Sequence, residues 1–298
     1  MKKVLLVPLL ALLAACQGQV AAPPLPDWQS PEERDSAALG VIRDLRSGEQ
    51  LSPAQLLDRL AAAPRVIVGE QHDNPDHHAL ELWLVRALAE RRPSGSVLLE
   101  MLAPDQQSAV SAAQASAAKG DMPNDLIAAL RWQPGWDWSQ YGPLVIWLVK
   151  QPAPLLAANL DRDEIMKIYR TKPQLQGSAS TAASVRNALL EDIRGSHCGL
   201  LPESQYPAML AVQQQRDRRM AEVFKAAPEP SVLIAGGFHA RRDLGVPLHL
   251  KDIDAAQGLK VVMLAEVGKP VEPGQADYLW YTPAQPATDY CAQMRGSL

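Results

Sequence analysis

Residues 65–92 read RVIVGEQHDNPDHHALELWLVRALAERR, and this stretch decides the fold. Arg65–Gly69 is a short apolar run of the kind that forms a strand buried on both faces, while Asp76–Arg92 repeats its apolar residues at helical spacing. Gly69 and Pro75 punctuate the passage from one to the other. The same alternation recurs down the chain. Strand-like runs lie at Val97–Glu100, Pro154–Ala158, Ser231–Ala235 and Lys260–Ala265, with helical patterns at Pro104–Lys119 and Trp138–Gln151. A helical elaboration at about 161–225, with loops near 171–182 and 195–202, precedes the fourth run. Buried strands separated by helices predict an α/β fold with a mostly parallel central sheet flanked by helices. Ala276–Tyr281 is a candidate antiparallel edge strand. Towards the N-terminus there is an amphipathic stretch near 31–46, then Ser52-Pro53 capping a short helix through Ala63.

Upstream of the fold the chain begins MKKVLLVPLLALLAAC. Lys2 and Lys3, an apolar run too short to span a bilayer and small residues before Cys16 read as a signal peptide over 1–15. LAAC resembles the bacterial lipobox, in which the cysteine is lipidated, and Gln17 after it resembles the outer-membrane default. The expectation is an outer-membrane protein anchored by lipid at Cys16 and facing the periplasm. Residues 16–30, rich in Ala, Pro and Gln, read as a tether, and 31–298 as a single ligand-binding domain. Without 1–15 the chain has two lysines fewer and no acid fewer, so 27 Lys+Arg face 33 Asp+Glu, a net −6. That balance gives no sign of a nucleic-acid partner. Cys198 and Cys291 remain in a compartment where disulfides persist, and are expected either to pair or to stay as buried thiols.

In open parallel sheets ligands sit beyond the carboxyl ends of the strands. Here those ends carry Glu70, His72, Asp73 and Asn74, then Glu100, then Asn159 and Asp161, then Gly236-Gly237-Phe238-His239. Gly69-Glu70-Gln71-His72 and Gly236-Gly237-Phe238-His239 share the form strand, glycine, two residues, histidine. In each, the glycine leaves room beside the backbone. Asp76 is placed to cap the following helix, which sets His77 and His78 in its first turn, where the helix dipole favours neutral imidazole. Trp132, Trp136, Trp138 and Trp147 cluster with Tyr141, either as helical packing or, for Trp136 and Trp138 of QPGWDW, as a wall for a flat ligand, and Arg241 and Arg242 follow His239 as partners for acidic groups. QQQRDRRM (213–220) reads as the polar face of a long helix. No CxxCH, HExxH, GxSxG or GxxxxGK[ST] motif is present, which leaves non-covalent ligand binding or metal-assisted hydrolysis.

At VIVGEQHDNPDHHALELWLVRAL (66–88), LLEML (98–102), DWSQYGPLV (137–145), AANL (157–160), HCGLLPE (197–203) and IAGGFHARRDLGVPLHL (234–250), the chain resembles the ChaN-like haem-binding lipoproteins of bacterial iron uptake. The resemblance implies non-covalent haem binding beside an outer-membrane haem receptor, with a homodimer enclosing the haem as a further option. His72, His77, His78 and His239 are then candidate ligands, Tyr141 or Tyr206 a candidate axial phenolate, and Arg241 and Arg242 partners for the propionates. The paired GxxH elements also resemble the wider erythromycin-esterase and Tiki/TraB group. On that alternative, His72 and His239 with Glu70 or Glu100 hold Zn or Mn for a metal-dependent hydrolase. GGFH departs from the polar residue expected in place of Phe238, which favours porphyrin stacking over catalysis.

Overall fold

The computed structural model describes residues 22–296; the signal peptide and Cys16 lie outside that range. In chain order the elements are β1 (Ile42–Asp44), β2 (Gln50–Leu51), α1 (Pro53–Ala61), β3 (Arg65–Glu70), α2 (Pro75–Arg91), β4 (Ser96–Leu99), α3 (Gln107–Ala117), α4 (Leu126–Ala129), α5 (Trp138–Val149) and β5 (Leu155–Ala157). Then follow α6 (Arg162–Thr171), α7 (Ala183–Ser196), α8 (Tyr206–Ala226), β6 (Ser231–Gly236), α9 (Gly237–Ala240), α10 (Val246–Asp252), β7 (Lys260–Glu266), β8 (Tyr278–Thr282) and α11 (Tyr290–Gly296).

The strands form one sheet in the order β2-β1-β8-β7-β3-β6-β4-β5. All pairs from β8 to β5 are parallel; only β1 runs antiparallel to its neighbours β2 and β8. The expected mostly parallel α/β sheet is therefore present. Successive side chains of β3 alternate between two cores, Val66 and Val68 packing with α1, α2 and α5, and Ile67 packing with α8 and α10. Covering both faces is what makes these strands apolar throughout.

Several local readings need correction. The strand at 276–281 is neither antiparallel nor an edge: Tyr278–Thr282 lies parallel to β7, because residues 267–277 carry the chain back along the sheet to the end where β7 starts. The antiparallel edge comes instead from β1 and β2, which are too short to carry a visible period, and the amphipathic stretch near 31–46 forms turns and β1. Residues 23–30, included in the tether, lie against the body. Trp83 Nε1 donates to the Pro24 carbonyl at 2.9 Å, and Asp76 accepts from the backbone of Gln29 and Ser30 at 2.7 and 2.8 Å. Asp76 is thus not the cap of α2. Asn74 is, its side chain accepting from the Asp76 and His77 amides.

Cys198, in the loop after α7, and Cys291, in α11, are joined by a disulfide with Cα atoms 5.5 Å apart. No helix among the described residues is long and apolar enough to cross a membrane.

Candidate functional site

β6 inserts between β3 and β4, so the two strand–glycine–histidine exits become neighbours: Glu70 pairs in register with Gly236, and Gly69 with Ala235. Each motif's glycine makes room for the other motif. A Cβ on Gly69 would stand 2.6 Å from the Cβ of Ala240, and one on Gly236 would stand 2.7 Å from His72 Nε2. The backbones then diverge. The chain after Glu70 turns outward and leaves the His72 side chain 44% exposed, whereas Gly237–Ala240 winds into a short helix that buries His239.

His239 sits between two carboxylates. Nδ1 donates to Asp217 Oδ1 at 2.6 Å and Nε2 faces Glu100 Oε1 at 3.2 Å, while Glu100 Oε2 accepts the Gly236 amide at 2.8 Å. Burial works against an imidazolium here, but the charges of Glu100 and Asp217 outweigh it and push His239 up to about 10. Burial would likewise raise Glu100, yet the charge and hydrogen bond of His239 bring it down to about 2. Burial and the nearby Glu100 charge raise Asp217 in spite of its imidazolium partner. Both nitrogens of His239 are committed, so it has no lone pair to offer a metal.

The second cluster gathers on the first turn of α2 and on α5. His72 Nδ1 lies 2.5 Å from Glu70 Oε1, which also accepts the Tyr141 hydroxyl at 2.8 Å. Burial opposes charge on His72, but the hydrogen bond and charge of Glu70 prevail and raise it. Burial and the Glu70 charge raise Tyr141, keeping it a phenol rather than a phenolate. His78 is flanked by Glu81 Oε2 at 3.2 Å and the His72 carbonyl at 3.0 Å, and despite burial the Glu81 charge lifts it to about 9. Burial and Glu70 together push Glu81 up to about 7. His77 goes the opposite way. Its Nδ1 accepts the Gln71 amide at 2.8 Å, its Nε2 meets Thr282 Oγ1 at 2.9 Å, and burial with the nearby His78 charge drives it down to about 3. The expected dipole-neutralised histidine pair is therefore split by its side-chain partners.

Between these clusters opens a cleft of about 440 Å³, within the range usual for small-molecule sites. Leu189 and Ile193 of α7 form one wall, Met263, Leu264 and Val271 another, and Phe238, 57% exposed, stands at the mouth. Glu70, His72 and His239 line its floor. Trp136 meets the His72 ring edge-on at 5.0 Å, so the tryptophan segment borders the same imidazole.

Among the expected ligands, the structure brings His72, His239, Glu70 and Arg241 to the cleft, with Glu100 and Tyr141 buried behind them against His239 and Glu70. Arg241 forks onto Asp243 at 2.9 and 2.7 Å while lining the cleft. Arg242 instead pairs with Asp277 at 2.6 Å on the β8 side, and Tyr206 packs among Leu189, Leu210 and Leu244 with Arg194 over its ring. His77 belongs to the fold rather than to the cleft. Two residues of the clusters were not singled out in the sequence: Glu81, and Asp217, which lies within the run read as a polar helix face. Both have a sequence signal in retrospect. Glu81 shares a helical stripe with His77, Leu84 and Leu88, and Asp217 shares one with Leu210, Gln214 and Ala221, all buried.

The family described as haem-binding uptake, Tiki superfamily, ChaN matches residues 56–250. The chain belongs to this family. A solved structure titled as cofacial heme binding to ChaN of Campylobacter jejuni is similar at 30% identity and TM-score 0.75, covering 80% of this chain and 95% of that one. An erythromycin esterase mutant in its open conformation aligns at 14% identity and TM-score 0.46, over 85% of this chain and 86% of that one. A Bacillus cereus protein aligns at 10% identity and TM-score 0.42, over 71% and 68%. No curated protein matches the chain.

Proposed function

We propose that this ChaN-family protein is a haem-binding lipoprotein of the outer membrane that holds haem non-covalently in the cleft between α7 and the β3 and β6 strand ends. The observation that carries this reading is that His72 alone, of the four imidazoles expected to coordinate, keeps a ring nitrogen with neither a hydrogen-bond nor an ion-pair partner among the described residues. Its Nδ1 is fixed by Glu70, which orients the ring and makes it a better donor, as carboxylate partners do for iron-ligating and zinc-ligating imidazoles. The residues fit the group. Gly236, lacking a side chain, lets the His72 ring lie against its backbone, apolar side chains wall the cleft on two sides, and Phe238 offers a stacking surface at the mouth. Arg241 and Lys269, both on the cleft, supply cationic partners for propionates. Bound iron supplies the coordination centre; the chain supplies one imidazole, an apolar slot and charge at its rim.

The MKKVLLVPLLALLAAC leader supports lipid attachment at Cys16 and a periplasm-facing outer-membrane location, where an outer-membrane haem receptor is a fitting partner and a second copy a fitting cover for the exposed Phe238. Replacing Cys16 by Ser releases the protein from the membrane fraction on this reading. The decisive measurement is titration of delipidated protein with haemin. A saturable Soret shift is expected, with affinity at least about tenfold lower in His72→Ala and unchanged in His249→Gln, whose ring is buried on α10. No saturable shift, or equal affinity in His72→Ala, overturns the assignment.

A further inference from the structure

The geometry points to a divalent-cation site behind the cleft, formed by Glu70 from the end of β3 and by His78 and Glu81 from the first turns of α2. One donor atom from each of the three lies within 4.8 Å of the other two, and all three side chains are buried. Three ligands on one ion at about 2.1 Å stand roughly 3 to 4 Å apart, so the cluster has to contract by about an ångström.

A second observation singles this cluster out. Glu70 Oε2 and Glu81 Oε1 are both buried and have no hydrogen-bond partner. A buried carboxylate oxygen left unpaired is costly, and two of them flanking one imidazole are answered together by a cation. The remaining atoms are already arranged as metal ligands need. Glu70 Oε1 is held by the Tyr141 hydroxyl and by His72 Nδ1, and His78 Nε2 donates to the His72 carbonyl, which leaves Nδ1, 3.2 Å from Glu81, as the nitrogen whose proton an ion would displace. Hydrogen bonding of the non-ligating atoms to backbone and side chains is the usual outer shell of a metal site. Two carboxylates and one imidazole suit Mn²⁺ or Zn²⁺ better than a soft ion. The site has routes to solvent on two sides, since Glu70 borders the main cleft and His78 borders a groove beneath Pro23–Pro26.

This ion set shares Glu70 with the His72–His239 set expected from sequence but takes its other two ligands from α2, and its test needs no haem. The test uses chelator-stripped, haem-free protein dialysed against Mn²⁺ alone or Zn²⁺ alone, with bound metal measured per chain. One equivalent is expected on the wild type, bound at least about tenfold more weakly by Glu81→Gln and His78→Gln and retained by His239→Gln. Should either variant fail to fold, Co²⁺ on the wild-type protein serves as the second readout, one equivalent with visible bands of a mixed oxygen and nitrogen ligand set being expected. Absence of a stoichiometric ion on the wild type, or an ion kept by folded Glu81→Gln and lost by folded His239→Gln, overturns the site.

Discussion

At the scale of single residues, the fate of four histidines shows how little the residue type decides by itself. His72 and His239 occupy equivalent places in two GxxH motifs, yet one projects into the cleft and the other is locked between Glu100 and Asp217. Adjacent His77 and His78 are driven in opposite directions, because one meets a backbone amide and a hydroxyl while the other meets carboxylates. The sharpest residue-scale prediction concerns Gly236. Its φ of −55° and ψ of 147° suit alanine, so the backbone carries no strain on substitution. The new Cβ, however, would stand 2.7 Å from His72 Nε2 and 2.8 Å from Cε1, forcing the ring aside. Gly236→Ala is expected to fold with a melting temperature close to wild type and to bind haemin at least about tenfold more weakly. Wild-type affinity in the same titration would detach the GxxH glycine from the ligand site.

At the scale of elements, α8 and α10 are held together through a buried histidine rather than through apolar contact alone. His249 of α10 has its Nδ1 against Arg218 Nε of α8 at 3.4 Å, and burial together with the Arg218 charge lowers it to about 3. A histidine depressed from 6.5 in this way stays neutral in the fold while the unfolded chain takes up a proton. Stability is therefore intact above pH 6.5 and falls as the pH drops from there towards 3. Each unit of pH in that window removes about 1.4 kcal/mol for this one group. Urea unfolding of the haem-free protein should lose about 2 kcal/mol less between pH 7 and pH 5 in His249→Gln than in wild type. Parallel losses in the two proteins would show that the imidazole is protonated in the fold. The same element-level logic explains why Asn74 starts α2. Its side chain accepts two amides of the first turn while its Nδ2 donates to Glu266 and Pro283, tying the helix to the ends of β7 and β8.

For the molecule as a whole, the Cys198–Cys291 disulfide links the loop after α7 to α11, a sequence separation of 93 residues. α11 buries no side chain, and a further anchor is Tyr290, whose hydroxyl donates to Asp73 at 2.6 Å beside His72. The disulfide thus holds the C-terminal segment near the cleft as well as closing a long loop. In the chain-entropy account a loop of this length contributes about 4 to 5 kcal/mol. Denaturation of the wild type with and without reductant should show a loss of up to that size, while thiol labelling of unreduced, denatured protein should find neither cysteine free. Full labelling without reductant would refute the pairing.

The sequence by itself determined the α/β class, because strands covered on both faces must be apolar throughout and the helices between them must show a helical period. It also marked both glycine–histidine exits and the family resemblance, since these are local patterns of residue type. Neighbourhood across the sheet was a tertiary decision. Only when β6 slides between β3 and β4 do residues some 170 positions apart share one rim and fill the space beside each other's glycines. Glu81 and Asp217 were hidden for the same reason, a charged residue on a helix being read as solvated until a buried imidazole is found opposite it. Which ring nitrogen remains free is likewise a property of partners, and partners are brought together by packing rather than by order along the chain.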